Sequence, residues 1–322
     1  MINVKDYVMI IGSSNMDLNI YSERLPEPGE TVTGGTFKQY LGGKGANQSV
    51  ASKRSGSNTL FIAKLGKDAF GDQIISQLGD EGINIDHIIR DPNEQSGIAF
   101  IMIDKNGENM ISVAPGANVK LMPEDIRKKA DLIKNANTLV VQMEIPIETI
   151  NEIFSIASKG NVIKILNPAP LKPIPVKILK SIDVITPNEG ELIRLYSLLG
   201  FKEFKRKDNE MMVQISRDIT SLGVKDVIIT LGEKGSLVYQ SEIDKITKIP
   251  AIKVKAIDTV GAGDCFNGVL ASKLNQGKDL ITSVKYATIA ASIAVTRRGA
   301  QTSIPYFHEI EEKYIEFNRL FN

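Results

Sequence analysis

The chain has 322 residues, with 39 basic and 38 acidic side chains and a formal net charge of +1, so its bulk charge gives no attraction to nucleic acid or an anionic membrane. Its length suits two domains, or one large α/β domain with an appendage, and a chain of this size buries enough surface to need no disulfide or structural metal. The single cysteine, Cys265, excludes an intrachain disulfide and fits a reducing, cytoplasmic setting, and His87 and His308 lack the neighbours of a zinc site or a histidine-based triad.

Tyr7–Ile11 reads as a first strand, too short for a signal-peptide core and ending in polar Gly12-Ser-Ser-Asn15. Asn15 and Asp17 flank Met16, so in an extended chain both polar side chains leave on one side. An amide and a carboxylate facing one cavity suit adjacent hydroxyls; an Asx turn after the strand is the structural alternative. Residues 18–40 hold short alternating strands (Asn19–Tyr21, Thr31–Tyr40) and no helix. Gly42-Gly-Lys-Gly-Ala-Asn47 opens a helix over Ala46–Ser55, with Lys44 and Asn47 one turn apart. This run lacks the spacing of a phosphate loop and the Ser/Thr after its lysine, so a polyol site or a tight structural turn are the two readings. A strand at Asn58–Lys64 and a helix at Ala69–Glu81 precede a second helix-free stretch, residues 96–117. Its strands, Gly97–Ile103 and Met110–Ala114, flank a hairpin signal at Asp104-Lys-Asn-Gly107.

Strands at Thr138–Met143, Val162–Leu166, Asp183–Ile185 and Asp226–Leu231 then alternate with helices at Pro123–Asn135, Ile147–Lys159, Glu189–Leu199 and Asn209–Leu222. Strands apolar on both faces, alternating with helices, predict one doubly wound α/β domain, with a mostly parallel central sheet covered by helices on both faces. The stretches at about 18–40 and 96–117 predict a small antiparallel β lid, to cover a site or meet another subunit. In an open parallel sheet ligands bind beyond the carboxyl ends of the strands, and Asn15–Asp17, Glu144, Asn167, Asn188 and Gly232 all follow strands. Asn188-Glu-Gly-Glu191 has the layout of a capping box; the functional alternative puts Asn188 near nucleotide phosphates and Glu191 near a water-shelled Mg²⁺. Thr230-Leu-Gly232-Glu-Lys-Gly235 is a hairpin turn or the border of a nucleotide.

A strand pair (Ser236–Tyr239, Ile246–Ile249) and a β-rich stretch, Ile252–Ile257, lead into the most informative segment, Asp258-Thr-Val-Gly-Ala-Gly-Asp264. Gly261 and Gly263 let successive amides converge at the start of the helix Ala262–Asn275, where the macrodipole favours an anion. Asp264 would repel a resting phosphate, so beside that cradle it suits proton removal from a hydroxyl, the equipment of phosphoryl transfer to an alcohol; a plain N-cap after a glycine turn is the alternative. Helices at Leu280–Thr296 and Tyr306–Arg319 close the chain, and Ala287–Val295 is half the length of a membrane span.

Gly42-Gly-Lys-Gly-Ala-Asn47 with Gln48, Asp258–Asp264, Gly12-Ser-Ser-Asn-Met-Asp17, Pro28-Gly-Glu-Thr31, Asn167-Pro-Ala-Pro170, Thr186-Pro-Asn-Glu189 and Arg298-Gly-Ala-Gln301 occur in one order. In this the chain resembles, over nearly its whole length, the ribokinase branch of the PfkB family of sugar kinases. The resemblance implies ATP-dependent phosphorylation of ribose at the 5-hydroxyl, with Asp264 as base and the amides of Ala262 and Gly263 stabilising the transferring phosphoryl group. It places Asn15, Met16, Asp17, Gly43, Lys44, Gly45, Ala46, Asn47 and Glu144 around the sugar. Asn188, Glu191, Thr230, Gly232, Gly235 and Thr288 would border ATP and its Mg²⁺. A K⁺ site would use Asp258, Val260, Ala294, Arg297, Gly299 and Ser303, and the lid would make a homodimer. Another sugar or nucleoside of the family (deoxyribose, fructose, adenosine) and a non-catalytic sugar-binding role are the competing readings. Two departures stand out: Leu198–Lys207 is longer than the usual connection, and Thr302 stands where many relatives carry proline.

Overall fold

Val8–Ile11 and Thr138–Val141 are buried at every position, which a strand tolerates only inside a sheet covered on both faces. The computed structural model describes residues 6–201 and 209–321. The first part of the chain holds β1 (Val8–Ile11), β2 (Asn15–Tyr21), β3 (Thr36–Gly42), α1 (Lys44–Arg54), β4 (Thr59–Ile62), β5 (Lys64–Gly66), α2 (Ala69–Asp80), β6 (Ile89–Asp91), β7 (Gly97–Ile103) and β8 (Asn109–Ala114). The middle adds α3 (Pro123–Arg127), α4 (Ala130–Lys134), β9 (Thr138–Val141), α5 (Ile147–Ala157), β10 (Ile163–Leu166), α6 (Val176–Leu179), β11 (Val184–Ile185), α7 (Glu189–Leu198) and α8 (Asn209–Ser221). It ends with β12 (Asp226–Thr230), β13 (Ser236–Gln240), β14 (Lys245–Ile249), α9 (Ala262–Asn275), α10 (Leu280–Ala294) and α11 (Phe307–Phe321).

The main sheet runs β14-β13-β12-β11-β10-β9-β1-β4, parallel from β12 to β4, with β13 and β14 added antiparallel at one edge. Alternation along each strand feeds two cores. Met9, Ile11, Leu139, Val141, Val227 and Ile229 point into one, packed by α5, α7 and α8. Val8, Ile10, Val140 and Ile228 point into the other, packed by α1, α9 and α10. The doubly wound sheet expected from the sequence is the one observed.

The small sheet runs β3-β2-β7-β8. Its outer pairs are antiparallel as expected, but its central pair, β2 and β7, is parallel. Asn15 pairs with Gly97 where both strands begin, so both stretches set out in the same direction. Phe37, Phe100, Met110, Ile111 and Val113 on this sheet are each at least 50% exposed.

Several boundaries differ from the sequence reading. Asn58–Lys64 divides at Ala63, because β5 turns away from β4 to pair with β6. Thr31–Tyr40 becomes Thr36–Gly42, and Pro123–Asn135 becomes two short helices. β6 and α6, of three and four residues, are too short to leave a periodic signal. Ile252–Ile257 is not a strand: Pro250 has no N–H with which to continue the ladder. The amides of Ile257 and Asp258 instead bond Val295 O at 2.7 and 3.2 Å. Most of the long Leu198–Lys207 connection lies outside the described residues. No helix among the described residues is long and apolar enough to cross a membrane.

Candidate active site

The site is assembled where α1 meets α9. A Cβ on Gly268 of α9 would stand 2.4 Å from Gln48 O and 2.5 Å from the Ala51 Cβ of α1, so only glycine allows this approach. The contact brings the side chains one turn earlier on each helix together. Asn47 Nδ2 donates to Asp264 Oδ2 at 2.9 Å, and Gln48 Nε2 donates to Asp264 Oδ1 at 3.0 Å. Asp264 is 6% exposed, and both of its oxygens are thus held.

The glycines at the start of α1 have a structural task. Gly43 has φ +84°, and a Cβ there would meet Ser14 Cα at 2.5 Å; one on Gly45 would meet Gly12 and Ser13 backbone at 2.8 Å. Ala46 is buried, and its amide bonds Ser13 O at 2.9 Å. Gly45 and Ala46 therefore seat α1 on the β1–β2 turn through their backbone. Met16 alternates with Asn15 and Asp17 on β2, and its side chain is fully buried in the apolar core.

Asn15 and Asp17 take the other face of β2. Asn15 Oδ1 accepts from Asn118 Nδ2 at 2.8 Å, while Asn118 also bonds the Ser14 amide at 2.9 Å. The Asp17 carboxylate takes no hydrogen bond among the described residues, and it is pushed up to about 7, first by burial, then by the charges of Glu144 and Asp264. Glu144 Oε2 accepts from the Lys44 amide at 3.1 Å and from Ser13 Oγ. The Lys44 ammonium is raised above its ordinary value by the charge of Asp264, against burial, with help from Glu144 and Glu191. Asp17, Lys44, Glu144 and Asp264 thus share one electrostatic environment with an excess of negative charge. Ser13 and Asn118 were missed in the sequence, because their partners lie 131 and 103 or more residues away.

A cleft of about 1050 Å³ adjoins the start of α9, lined by Asn188, Thr230, Gly232, Gly235, Ala262, Gly263 and Thr288. A Cβ on Gly232 or Gly263 would meet nothing within 4 Å, so both backbones lie open. Gly261, at φ +75°, is the N-cap of α9, and the first-turn amides lack intrahelical acceptors. Ala262 N turns back to Thr259 O at 3.3 Å. Ile252, Lys253, Val254 and Ala256 line the same cleft, which is the place this irregular segment takes. Glu191 does not line it. Asn188 N donates to Glu191 Oε2 at 2.9 Å and Glu191 N to Asn188 Oδ1 at 2.8 Å, a complete capping box. Burial raises the Glu191 carboxyl.

Behind the α9 turn, Asp258 Oδ1 accepts from Val260 N at 3.0 Å and Oδ2 from Gly299 N at 2.9 Å, tying the two loops together. Ser303 Oγ donates to Ala300 O at 2.8 Å, and Ala294 O accepts from Arg297 N at 3.0 Å. Each of these oxygens keeps a lone pair, and the set is entirely hard donors, which fits an alkali cation.

The model of the pfkB family carbohydrate kinases matches residues 5–306. The chain belongs to the pfkB family of carbohydrate kinases. It is 39% identical over 307 residues to a ribokinase of Staphylococcus aureus, covering 95% of this chain and 98% of that protein. It is 35% identical to a deoxyribokinase of Salmonella typhi over 312 residues, 97% of this chain and 99% of that one. Among solved structures, Arabidopsis thaliana ribokinase complexed with ribose and ATP matches with a TM-score of 0.89 and 33% identity, covering 96% of this chain and 98% of that chain.

The strained carboxylate of this pfkB kinase gives a stability test. Asp17 titrates at about 7 when folded, against an ordinary 3.8, so the native state binds the extra proton between those values. Its contribution is full below about pH 4 and is lost as pH rises through 7. Asp17→Asn removes the ionisation and is expected to stabilise the protein near pH 8, by at most about 4 kcal/mol, with the gain vanishing toward pH 4. Urea midpoints at the two pH values measure this; equal gains at both would show that the carboxylate is not the cause.

Proposed function

We propose that the chain transfers the γ-phosphoryl group of ATP to the 5-hydroxyl of D-ribose, giving ribose 5-phosphate and ADP, with Asp264 as the general base. The observation that carries this reading is the place of Asp264. It sits at the first turn of α9, with the open nucleotide-sized cleft on one side and Asp17, Lys44 and Glu144 on the other. The Staphylococcus and Arabidopsis relatives support the substrate pair.

In this reading Asn15, Asp17, Gly43, Lys44, Asn47 and Glu144 hold the sugar hydroxyls. The carboxylate of Asp264 takes the 5-hydroxyl proton as the oxygen attacks phosphorus, and the bond to ADP breaks. Amides of Ala262 and Gly263, at the positive end of α9, stabilise the charge on the transferring group. Asn188, Thr230, Gly232, Gly235 and Thr288 border the nucleotide. Bound Mg²⁺ would supply neutralisation of phosphate charge, and Glu191, a half-buried carboxylate with one oxygen outside the capping box, is suited to hold it through water. Asp258, Ser303 and the carbonyls of Val260, Ala294, Arg297 and Gly299 would hold K⁺.

Asp17 favours ribose over deoxyribose in this reading, since a half-buried carboxylate that holds two neighbouring hydroxyls loses a partner when one is missing. The deoxyribokinase relative makes this the discriminating comparison. Steady-state rates with ribose, deoxyribose, fructose and adenosine are expected to give ribose the highest kcat/KM. A deoxyribose preference would overturn the substrate and leave the chemistry. Asp264→Asn is expected to keep ATP binding and lose about 10²–10⁴-fold in turnover; more than half of wild-type turnover would remove Asp264 from the mechanism.

The same loop that carries the K⁺ donors begins the α9 turn, so the cation aims the anion-binding amides. Replacing K⁺ by Tris at fixed Mg²⁺ is expected to lower kcat by about 10²-fold, the scale of a lost oxyanion donor, and to change the ribose KM less. Equal rates in both buffers would exclude the site.

The small sheet is proposed as a lid over the sugar and as the surface of a homodimer. Its apolar residues, exposed in a single chain, are covered in such a pair. Sedimentation at micromolar concentration is expected to give a dimer, and a monomer alone would refute it.

A further inference from the structure

Two buried glutamines that no ligand role requires lie directly behind Asp264. Gln48 and Gln142 are both 0% exposed. Gln48 Nε2 donates to Asp264 Oδ1 at 3.0 Å and to Asn167 Oδ1 at 3.2 Å. Gln142 Nε2 donates to Gln48 Oε1 at 2.6 Å. The direction of this chain follows from chemistry. An ionised carboxylate only accepts, so Gln48 must turn its NH₂ toward Asp264. Asn167 presents its oxygen as well, because its own Nδ2 is spent on Thr186 O at 3.3 Å. Both hydrogens of the Gln48 amide are then used, and its oxygen faces Gln142, which must donate.

That arrangement leaves a mark. Gln142 Oε1 is buried with no hydrogen-bond partner. It abuts Gly12, where a Cβ would stand 1.9 Å from it. A buried oxygen without a partner is destabilising, and a chain selected for packing alone would place an apolar side chain here. The network keeps the orphan because the opposite orientation of Gln142 would turn oxygen against oxygen.

We propose that Gln142 and Gln48 are positioning residues of phosphoryl transfer: Gln142 fixes the amide of Gln48, and Gln48 fixes the plane of the Asp264 carboxylate. This rests on the reading of Asp264 as the base. With Asn47 holding Oδ2 at 2.9 Å, the second hydrogen bond removes the remaining rotation about the Asp264 side chain. A general base works only within hydrogen-bond reach of its proton, and misplacement on the order of 1 Å costs about 10²-fold in rate.

The test is a double-mutant cycle on kcat with Gln48→Met, Gln142→Met and the double variant, alongside Asp264→Asn. Gln48→Met is expected to lower kcat by about 10- to 100-fold with the KM values for ribose and ATP within about threefold. Gln142→Met is expected to lower kcat by about 3- to 10-fold, and the double variant to be no slower than Gln48→Met, because Gln142 acts only through Gln48. Thermal melts report the separate loss of stability. Native kcat in both single variants, or additive losses in the double, would overturn the proposal even where melting temperatures fall. Should Gln48→Met not fold, Gln142→Met decides alone: native kcat refutes, a lowered kcat at unchanged KM supports. High turnover in Asp264→Asn would instead refute the base itself, so the two failures are distinguishable.

Discussion

The close approach of α1 to α9 at Gly268 is the constraint from which the site follows. The two helices belong to opposite ends of the chain, and each alone offers only a polar residue near a helix start. Their contact delivers Asn47 and Gln48 to the two oxygens of Asp264. The same contact sets α1 on the β1–β2 turn through Gly43 and Gly45, so the strand bearing Asn15 and Asp17 is registered against the helix bearing Lys44. A larger residue at any of these glycines moves a backbone, and with it the distance between Asp17 and Asp264.

Electrostatics at the site run against stability. Asp17 feels the charges of Glu144 and Asp264, and Lys44 is the cation that those same two carboxylates act on. Burial without a hydrogen bond is why the Asp17 carboxyl is raised to about 7. A fold under selection for stability alone would neutralise such a group. In the proposed reading a carbohydrate would supply what is missing: hydroxyl donors for the carboxylates, brought by a neutral molecule that adds no charge of its own.

Much of this was legible in the sequence, and the pattern of misses is physical. The alternation of doubly apolar strands with helices identified the main sheet, because that burial leaves a periodic record in each strand. Several residues that line the cleft beside α9 stood out in the sequence because they follow strand ends or open a helix. Ser13, Asn118 and Gln142 were not legible as site residues. Each acts through a partner about 90 to 130 positions away, and no local spacing reports such a contact. Ile252–Ile257 failed for a related reason: β-branched residues recorded an apolar environment, and that environment is the cleft wall rather than a sheet.

Arg54 shows how the two ends of the site are joined mechanically. It closes α1, whose first turn carries Lys44 and Asn47, and its side chain is 9% exposed. One guanidinium nitrogen donates to Gln301 O at 2.9 Å and Ile304 O at 2.7 Å, while the remaining fork pairs with Glu81. The Tyr306 ring stacks against it at 4.6 Å. The carbonyls it grips bracket Ser303, in the loop that Asp258 ties to the start of α9. A planar five-donor side chain can hold two carbonyls and a carboxylate at once, and lysine cannot. The helix that contacts Asp264 at one end therefore braces, at its other end, the loop beneath the first turn of α9. Asp264 and the loops of Asp258 and Ser303 are thus referred to one rigid rod.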